Sequence, residues 1–413
     1  MKNFYKPKIC RLCNSRNIGV VLSLNKSPLC DAYIKKKKEQ QFYDLKLCLC
    51  NNCKFVQINT VVDPKIIYRD YIYVTTSSLG LNDHFKKYTQ DVCRFFNFKK
   101  TKFIVDIGSN DGTLLSHFKK KKHKVLGIEP AFRAAAAAKK KGIKSINEFF
   151  DKNIANKIVK KYGYADFITI NNLFANVDDL HNFTKNLELL LGEDGVIVIE
   201  SSYLLDMINN MVFDFIYHEH LSYLSILPLR IFFKKFGLKL IRVQKINTKG
   251  GSLRYYLARE KSKWPVHNSV YIFKKTESDF NISKKTFNFF NKKIKLINKN
   301  LSKYLSRYKK CKIAGYGASA TSTTLISHFK LYKRLDYLID DNPGKINTFS
   351  PGFHIPVYNY KKITVDKPDI ILILAWRYYE KILQKLKKIN FNNLVAIPLP
   401  KFKITSFKKN RER

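Results

Sequence analysis

The feature that most constrains the fold is an alternation of short apolar segments with amphipathic ones, which recurs along most of the chain. In the larger series, the apolar segments followed by helical patterns are 102–108, 124–130, 165–171 and 195–201. Strands that alternate with helices form a mostly parallel sheet covered on both faces. Two neighbouring apolar segments, 238–246 and 250–259, close this series and are typical of paired strands.

A second and smaller series follows long helical patterns at 265–308. Its strand patterns are 311–320, 335–341, 369–376 and 393–400. At 413 residues, the chain is too long for one compact core. We therefore expect an α/β protein with four segments: a small module (1–58), a connector (59–88), a Rossmann-like domain (89–260) and a smaller Rossmann-like domain (261–413).

The cysteines are concentrated near the N-terminus, where six of the eight lie within the first 53 residues. Two Cys-x-x-Cys pairs stand 36 residues apart, at Cys10, Cys13, Cys50 and Cys53. Each pair can direct two sulfurs at one ion, and two pairs complete a tetrahedral zinc site. Cys48 is an additional sulfur nearby, and Cys30 has no such partner. A closed set of four thiolates predicts a structural zinc that stabilises a module with little core of its own.

The formal charge of +45 raises the question of a nucleic acid or an acidic membrane as partner. The lysines argue against both, because they are spread over the whole chain in short runs. Spread charge of this kind indicates solvated faces, and it also suits an anionic ligand such as a pyrophosphate. We expect no nucleic acid partner, although a zinc-containing RNA methyltransferase or RNA-binding protein remains the alternative.

Targeting and membrane signals are not evident in the sequence. No run of 18 apolar residues occurs, and the strongly apolar segment 370–376 has the length of a buried strand. The first ten residues lack the apolar core of a signal peptide. The expectation is a soluble cytoplasmic monomer that does not contact a membrane.

A glycine turn follows the first strand of the larger series, in VDIGSNDGTLL. Glycines let the backbone approach a ligand, and the next helix N-terminus attracts anionic groups. Glu129 ends the following strand, where an acid can hold ribose hydroxyls. Asn110 replaces the second glycine of the dinucleotide pattern, and D-x-G-x-x-x-G resembles class I S-adenosylmethionine (SAM) methyltransferases instead. The expected SAM-binding residues are Asp106, Gly108, Asn110, Gly112, Glu129, Pro130, Asn171 and Asn172.

The segment NNLFANVDDL does not favour methylation of nucleic acid bases. Base N-methyltransferases usually carry a Pro-Pro-aromatic motif at this place. The chain also has no Pro-Cys or Thr-Cys pair placed like the nucleophile of an RNA cytosine methylase. The RNA interpretation therefore loses most of its support.

Several motifs occur together in one order: the two Cys-x-x-Cys pairs, VDIGSNDGTLL, NNLFANVDDL, YHEHLSYLS, GGSLR, GYGASATSTTL, DDNPGK and PGFHIPV. In this order they resemble the sugar-nucleotide C-methyltransferases of deoxysugar biosynthesis, over residues 10–400. The resemblance implies SAM-dependent methylation of a ring carbon, typically C-3 of a dTDP-4-keto-6-deoxyhexose, in deoxysugar or surface polysaccharide biosynthesis. A relative that binds nucleotide-sugar without turnover is a further alternative.

The motif YHEHLSY places two histidines around one glutamate. From the residues alone it could be a metal site, an acid/base centre or a polar loop, although it lacks the i, i+4 spacing of helical zinc sites. The resemblance implies that His220 removes the proton beside the sugar ketone, a task that suits an imidazole near neutral pH. It further implies Glu219 and Tyr217 as partners and Tyr73 as a contributor. His218 receives no role.

A second glycine turn, GYGASATSTTL, opens a helix whose free N–H groups and hydroxyls suit phosphate. From the residues alone it could bind NAD, whereas the resemblance implies that it holds the nucleotide-sugar. Asn176 stands where the family usually has histidine, and Thr321 stands where it usually has lysine. These departures leave the sugar and the nucleotide open. The expected substrate-binding residues are Asn176, Gly315, Gly317, Ser319, Thr321 and Ser322.

Overall fold

The structure is a computed structural model, and it describes residues 3–68, 75 and 80–407. These ranges contain a two-stranded sheet, a four-stranded sheet and two seven-stranded sheets. Helices accompany both larger sheets, so the predicted α/β class is confirmed. Within the same ranges, no helix combines the length and the apolar character that crossing a membrane requires.

The N-terminal module is built on a small antiparallel sheet. Its elements are β1 (Phe4–Tyr5), β2 (Ile18–Ser27), β3 (Tyr43–Cys50), β4 (Val56–Ile58), β5 (Val61–Val62) and α1 (Pro64–Tyr68). Strands β2, β3 and β4 pair in antiparallel order, and β1 pairs with β5. Because Cys50 is the last residue of β3, the second Cys-x-x-Cys pair occupies the turn that leaves this strand.

The larger domain carries the first seven-stranded sheet. Its elements are α2 (Leu81–Phe95), β6 (Phe103–Ile107), α3 (Thr113–Lys120), β7 (Lys124–Ile128), α4 (Phe132–Lys140), β8 (Ser145–Ile146), α5 (Lys152–Tyr162), β9 (Ala165–Asn171), α6 (Leu180–Leu190), β10 (Leu191–Ser202), α7 (Leu204–Asn209), β11 (Ser222–Tyr223), α8 (Ile226–Lys234), β12 (Leu238–Ile246) and β13 (Ser252–Arg259). The strand order is β12-β13-β10-β9-β6-β7-β8.

Five strands of this sheet run parallel, and β12 and β13 form the antiparallel edge that the paired apolar segments predict. The strand order reverses beside β6, which pairs with β7 on one side and β9 on the other. Open sheets bind ligands in the crevice at such a switch point, beyond the carboxyl ends of the strands. The predicted glycine turn after β6 therefore lies at the expected place.

The C-terminal domain carries the second seven-stranded sheet. Its elements are α9 (Asn268–Phe280), α10 (Lys284–Leu305), β14 (Ile313–Tyr316), α11 (Ala320–His328), β15 (Tyr337–Ile339), β16 (Thr348–Phe349), β17 (Pro356–Tyr358), α12 (Lys361–Asp366), β18 (Ile370–Ile373), α13 (Tyr379–Lys388), β19 (Leu394–Ile397) and β20 (Lys403–Ser406). The strand order is β16-β17-β15-β14-β18-β19-β20, with a reversal beside β14. The five central strands are parallel, and β16 and β20 are antiparallel edges.

The N-terminal module joins the two larger domains. Strand β11 extends the module's sheet by pairing with β4, although it lies in the sequence of the larger domain. Arg11, which is buried, forms an ion pair with Asp178 at 3.0 Å and donates to the carbonyl of Leu221. On the other side, Lys345 forms an ion pair with Asp31 at 2.6 Å. These contacts hold the three parts around one central space.

The observed strands and helices follow the sequence patterns closely, with small differences at the edges. The short strands β8, β16, β17 and β20 were not predicted, since two to four residues carry too little periodicity. Helix α2 begins at Leu81, inside the predicted connector. The predicted limits of the four segments remain predictions, and much of the connector, including Tyr73, lies outside the described residues.

Candidate active site

The four cysteines of the two Cys-x-x-Cys pairs converge on one point. The sulfur of Cys10 lies 3.6 Å from that of Cys53, and the sulfur of Cys13 lies 3.5 Å from that of Cys50. All four sulfurs lie within 4.8 Å of one another. Zinc bound at about 2.3 Å by four sulfurs requires separations of this size. Among the described residues, Cys30 and Cys48 do not take part in the cluster.

A cavity of about 890 Å³ lies between the two larger sheets, at the top of the range for small-molecule sites. Both glycine turns and the YHEH loop contribute to its wall. The predicted residues that line it are Asp106, Gly108, Asn110, Glu129, Pro130, Asn171, Asn172, Asn176, Tyr217, Glu219, His220, Gly317, Ser319 and Thr321. The structure therefore brings the three predicted groups of site residues to one space.

Three predicted residues lie behind this wall and support it. Gly112 has φ of 70°, and a Cβ there would lie 3.1 Å from Ile143. Gly315 lies within β14, where a Cβ would lie 2.7 Å from a methyl carbon of Leu338. Ser322 is buried, and its backbone N–H donates to the Ser319 hydroxyl. These positions serve close packing and helix capping.

The cofactor end of the cavity is formed by two buried carboxyl groups. Asp106 accepts a hydrogen bond from the Thr169 hydroxyl at 2.6 Å, and burial raises its pKa to about 7. Glu129 accepts from the backbone N–H groups of Asn110 and Ala131 at 2.9 and 2.8 Å. These two bonds orient the Glu129 carboxylate at the end of β7, where it can hold hydroxyl groups of a ribose.

The turn after β6 keeps its backbone open to the cavity. Gly108 has φ of 73°, and a Cβ there would lie 3.0 Å from a Leu173 methyl group. Asn110 has φ of 48°, and its side-chain oxygen accepts from the N–H and the hydroxyl of Thr75. Asn110 thus holds Thr75 of the connector beside the cofactor end. Glycine could not do this, because it has no side chain to accept these hydrogen bonds.

The YHEH loop orients His220 as a base. Its Nδ1 lies 3.0 Å from the Phe215 carbonyl oxygen, and a carbonyl only accepts, so Nδ1 carries the proton. The pKa of His220 is lowered to about 4, mainly by burial and in smaller part by the Lys249 ammonium, while the hydrogen bond to Phe215 acts in the opposite direction. The ring is therefore neutral at pH 7, and Nε2 carries the free lone pair. Tyr217 packs against this ring with 4.2 Å between the centroids.

The remaining members of the loop have distinct surroundings. Tyr217 is buried, and desolvation raises its pKa well above the ordinary value, so its hydroxyl keeps its proton. Glu219 is also buried in the cavity wall. His218 donates through Nε2 to the Asp44 carbonyl at 3.1 Å, which connects the loop to β3 of the module. This anchoring contact gives a structural reason for the histidine that the sequence left without a role.

The C-terminal side of the cavity carries charges of both signs. Its basic residues are Lys345, Arg377, Lys381 and Lys385, and Asp340 and Asp341 line the cavity beside them. Arg377 contacts both oxygens of the buried Asp214 and donates to the Thr321 hydroxyl at 3.1 Å. A cation thus stands beside Thr321. The Ser319 hydroxyl caps the N-terminus of α11.

Comparisons with known proteins agree with this arrangement. Three family models match the chain: a zinc binding domain at 10–68, a methyltransferase domain at 82–243 and a C-methyltransferase C-terminal domain at 247–400. The C-methyltransferase NovU of Streptomyces niveus is 25% identical over 403 residues, which cover 95% of this chain and 96% of NovU. Over nearly its whole length the chain is thus similar to C-methyltransferases. It is a SAM-dependent methyltransferase with an N-terminal zinc-binding module.

Two solved methyltransferases resemble part of this chain. The magnesium protoporphyrin IX methyltransferase of Synechocystis PCC 6803 is 10% identical and covers 44% of this chain and 80% of its own, with a TM-score of 0.34. The plantazolicin methyltransferase BamL is 15% identical and covers 45% of this chain and 86% of its own, with a TM-score of 0.35. Superpositions this loose carry no information on substrate.

Two cavity residues of this methyltransferase were not predicted from the sequence. Lys249 directly precedes the GGSLR motif, and Arg377 follows the end of strand β18. The rule that ligands bind beyond the carboxyl ends of parallel strands would have drawn attention to Arg377. Lys249 lies in a turn between antiparallel strands, and its sequence carries no comparable signal.

Proposed function

We propose that this C-methyltransferase methylates a ring carbon of a nucleotide-linked keto-deoxysugar, with C-3 of a dTDP-4-keto-6-deoxyhexose as the favoured case. The supporting observation is the unprotonated Nε2 of His220, in the wall of a cavity that both glycine turns share. A carbon beside a ketone becomes a nucleophile only after it loses a proton. C-methylation therefore requires a base at this place.

SAM supplies an electrophilic methyl group when it is bound. His220 takes the proton from the ring carbon through Nε2, and the electron pair moves to the ketone oxygen as an enolate. The carbon then forms its bond to the methyl group while the sulfur–methyl bond breaks. S-adenosylhomocysteine leaves, and the ketone is restored. Tyr217, which keeps its hydroxyl proton, can donate a hydrogen bond to the sugar.

The residues around the second glycine turn support an anionic nucleotide at the other end of the cavity. Ser319 and the N-terminus of α11 offer hydrogen-bond donors, and helix N-termini favour phosphate. Thr321 lacks the charge of the family's usual lysine, but Arg377 lies within hydrogen-bond distance of it. The guanidinium already donates to Asp214 and Thr321, and its remaining N–H groups can donate to a diphosphate oxygen. Asn176 can still hold a hydroxyl or keto oxygen of the sugar.

The test is a reaction of the purified enzyme with SAM and a panel of dTDP-, GDP- and CDP-linked keto-sugars. The expected result is release of S-adenosylhomocysteine with dTDP-4-keto-6-deoxyglucose and a product heavier by one methylene group. Mass analysis after chemical degradation locates the new methyl group. An enzyme that binds SAM but turns over no member of the panel would contradict the proposal.

A further inference from the structure

Lys249 lies in the turn between β12 and β13, and its backbone adopts an unusual conformation. Its φ of 54° is followed by 86° at Gly250 and 122° at Gly251. Residues other than glycine seldom adopt positive φ, and such residues cluster at functional sites. Gly251 allows the turn, because a Cβ there would lie 2.4 Å from the Cβ of Asp206. The turn places Lys249 in the wall of the active-site cavity.

Two other cations in the cavity wall have carboxylate partners, whereas Lys249 has none in the part of the chain that the structure describes. Arg377 pairs with Asp214 at 2.9 Å, and Lys345 pairs with Asp31 at 2.6 Å. Lys249 has neither an ion pair nor a hydrogen bond to its side chain within residues 3–68, 75 and 80–407. A cation enclosed without a carboxylate partner is costly unless a bound group neutralises it. This arrangement suits an anion that forms only during the reaction.

The surroundings of Lys249 connect it to the base. It lines the main cavity together with His220, and both residues also line a second cavity of about 20 Å³. The pKa of Lys249 is lowered to about 8: burial is the main cause, the carboxylates of Glu200 and Glu219 oppose it, and Arg377 adds to it. The ammonium form therefore prevails at neutral pH but is easily lost above it.

A base with the low pKa of His220 requires assistance at the ketone oxygen. Neutral imidazole cannot remove a proton from carbon efficiently unless the developing oxyanion is stabilised, and preorganised donors serve this purpose. Tyr217 is one donor in the cavity wall, but it carries no charge. Lys249 provides a charge on the same wall as His220.

We propose that Lys249 is a catalytic residue that donates a hydrogen bond to the enolate oxygen while His220 holds the proton taken from carbon. This role rests on the proposed function. No proton needs to leave Lys249: the negative charge develops on the ketone oxygen, is held by the ammonium and returns to carbon when the new bond forms. The lysine thus lowers the free energy of the enolate relative to that of the ketone, and the products of the reaction are unchanged.

The experiment compares Lys249→Met, Lys249→Arg and the control Lys261→Met, whose lysine is exposed in the turn after β13. Three quantities are measured: kcat for methylation, solvent-deuterium exchange into the keto-sugar without SAM, and the Kd of SAM. We expect Lys249→Met to lower both kcat and exchange about 100-fold, the usual cost of losing one oxyanion donor. SAM affinity and the Lys261→Met enzyme should stay within about twofold of wild type, since neither change alters the cofactor end.

The pH dependence of the activity distinguishes a lysine that acts through its charge from one that only supports the structure. The charged or titratable groups that face Lys249 are His220, Glu200, Glu219 and Arg377, and all of them are unchanged in these variants. Wild-type kcat/KM should decline as the pH rises above about 8, because Lys249 then loses its proton. Lys249→Arg should retain part of the activity and lose this decline, because guanidinium stays charged. Exchange and kcat in Lys249→Met within about threefold of wild type would overturn the role. Borohydride trapping of substrate on Lys249 would also overturn it, by showing an imine.

The outcome also distinguishes this inference from the proposed function. If the wild-type enzyme turns over no keto-sugar, the proposed function fails, and the role of Lys249 fails with it. If the wild-type enzyme is active and Lys249→Met retains exchange and turnover, the role of Lys249 alone is wrong.

Discussion

The Nδ1 atom of His220 lies 3.0 Å from the carbonyl oxygen of Phe215, five residues earlier in the chain. This hydrogen bond sets the tautomer of the ring, because the carbonyl can only accept. It also leaves Nε2 as the basic nitrogen in a cavity that both larger domains line. A contact within one short loop therefore decides what the histidine can do chemically.

Replacing His220 by asparagine should remove the base and preserve the loop. The asparagine amide can still donate to the Phe215 carbonyl, whereas it cannot accept a proton near neutral pH. We expect kcat and solvent-deuterium exchange to fall at least about 100-fold. The Kd of SAM should not change, and His117→Asn, on helix α3 away from the loop, is the matched control. Exchange that survives in His220→Asn would exclude His220 as the base.

Removal of zinc should destabilise the module and disturb the active site with it. The wild-type protein is expected to bind about one zinc per chain, and Cys53→Ser should lose it, because a structural site needs four ligands. The thermal midpoint should fall, and catalysis should fall too, since β11 and the His218–Asp44 contact connect the module to the catalytic loop.

Cys48→Ser is the control for the zinc ligands. Cys48 lies on β3 but outside the sulfur cluster, so metal content measured by emission spectroscopy should not change. Loss of zinc in this variant would show that the ligand set is different.

Replacing Arg377 by lysine should weaken nucleotide-sugar binding more than chemistry. The charge stays beside the buried Asp214, but the forked contact with Asp214 and Thr321 is lost. We expect KM for the nucleotide-sugar to rise about tenfold, the cost of one or two charged hydrogen bonds, while kcat and SAM affinity change little. Arg307→Lys, at an exposed position, should behave like wild type. An unchanged KM would place the phosphates elsewhere.

Acid should destabilise the folded protein through histidines that are buried in the neutral form. Burial lowers the pKa of His218, His220 and His328 to about 4 each. As the pH falls, the unfolded chain binds these protons first, near the ordinary pKa of about 6.5. The contribution of the neutral histidines to the free energy of unfolding is therefore fully present above that pH and is lost as the pH falls towards 4. Urea unfolding midpoints should therefore decrease between pH 7 and pH 5, although less than the three histidines alone would give, because the raised pKa of Asp106 acts in the opposite direction.

His328 offers a direct test of this pH dependence. Its Nδ1 accepts from the backbone N–H of Asn25 in β2, at 3.2 Å, so protonation breaks a contact between two domains. Glutamine can accept the same bond without titrating. His328→Gln should flatten the fall of the urea midpoint below pH 6.5, and a slope equal to that of wild type would show that His328 does not contribute.

Local patterns were sufficient for the parts of this protein whose chemistry depends on neighbours in sequence. The Cys-x-x-Cys pairs predicted the four-sulfur cluster, and the strand–turn–helix periodicity predicted both parallel sheets. Asp106 and Glu129 could be selected because one lies at the end of a predicted strand before a glycine turn and the other ends the next predicted strand. The similarity to C-methyltransferases also followed from the order of short motifs.

Long-range contacts decided what the sequence alone could not. His218 acquired its structural role from the Asp44 carbonyl, 174 positions away. Arg377 donates to Thr321, 56 positions away, and Lys249 lines the cavity because of a turn in which Gly251 packs against Asp206. Sequence periodicity reports which face of a strand or helix is buried. Only the packing of sheets against one another determines which side chains then meet, and with them the charge and proton affinity of the site.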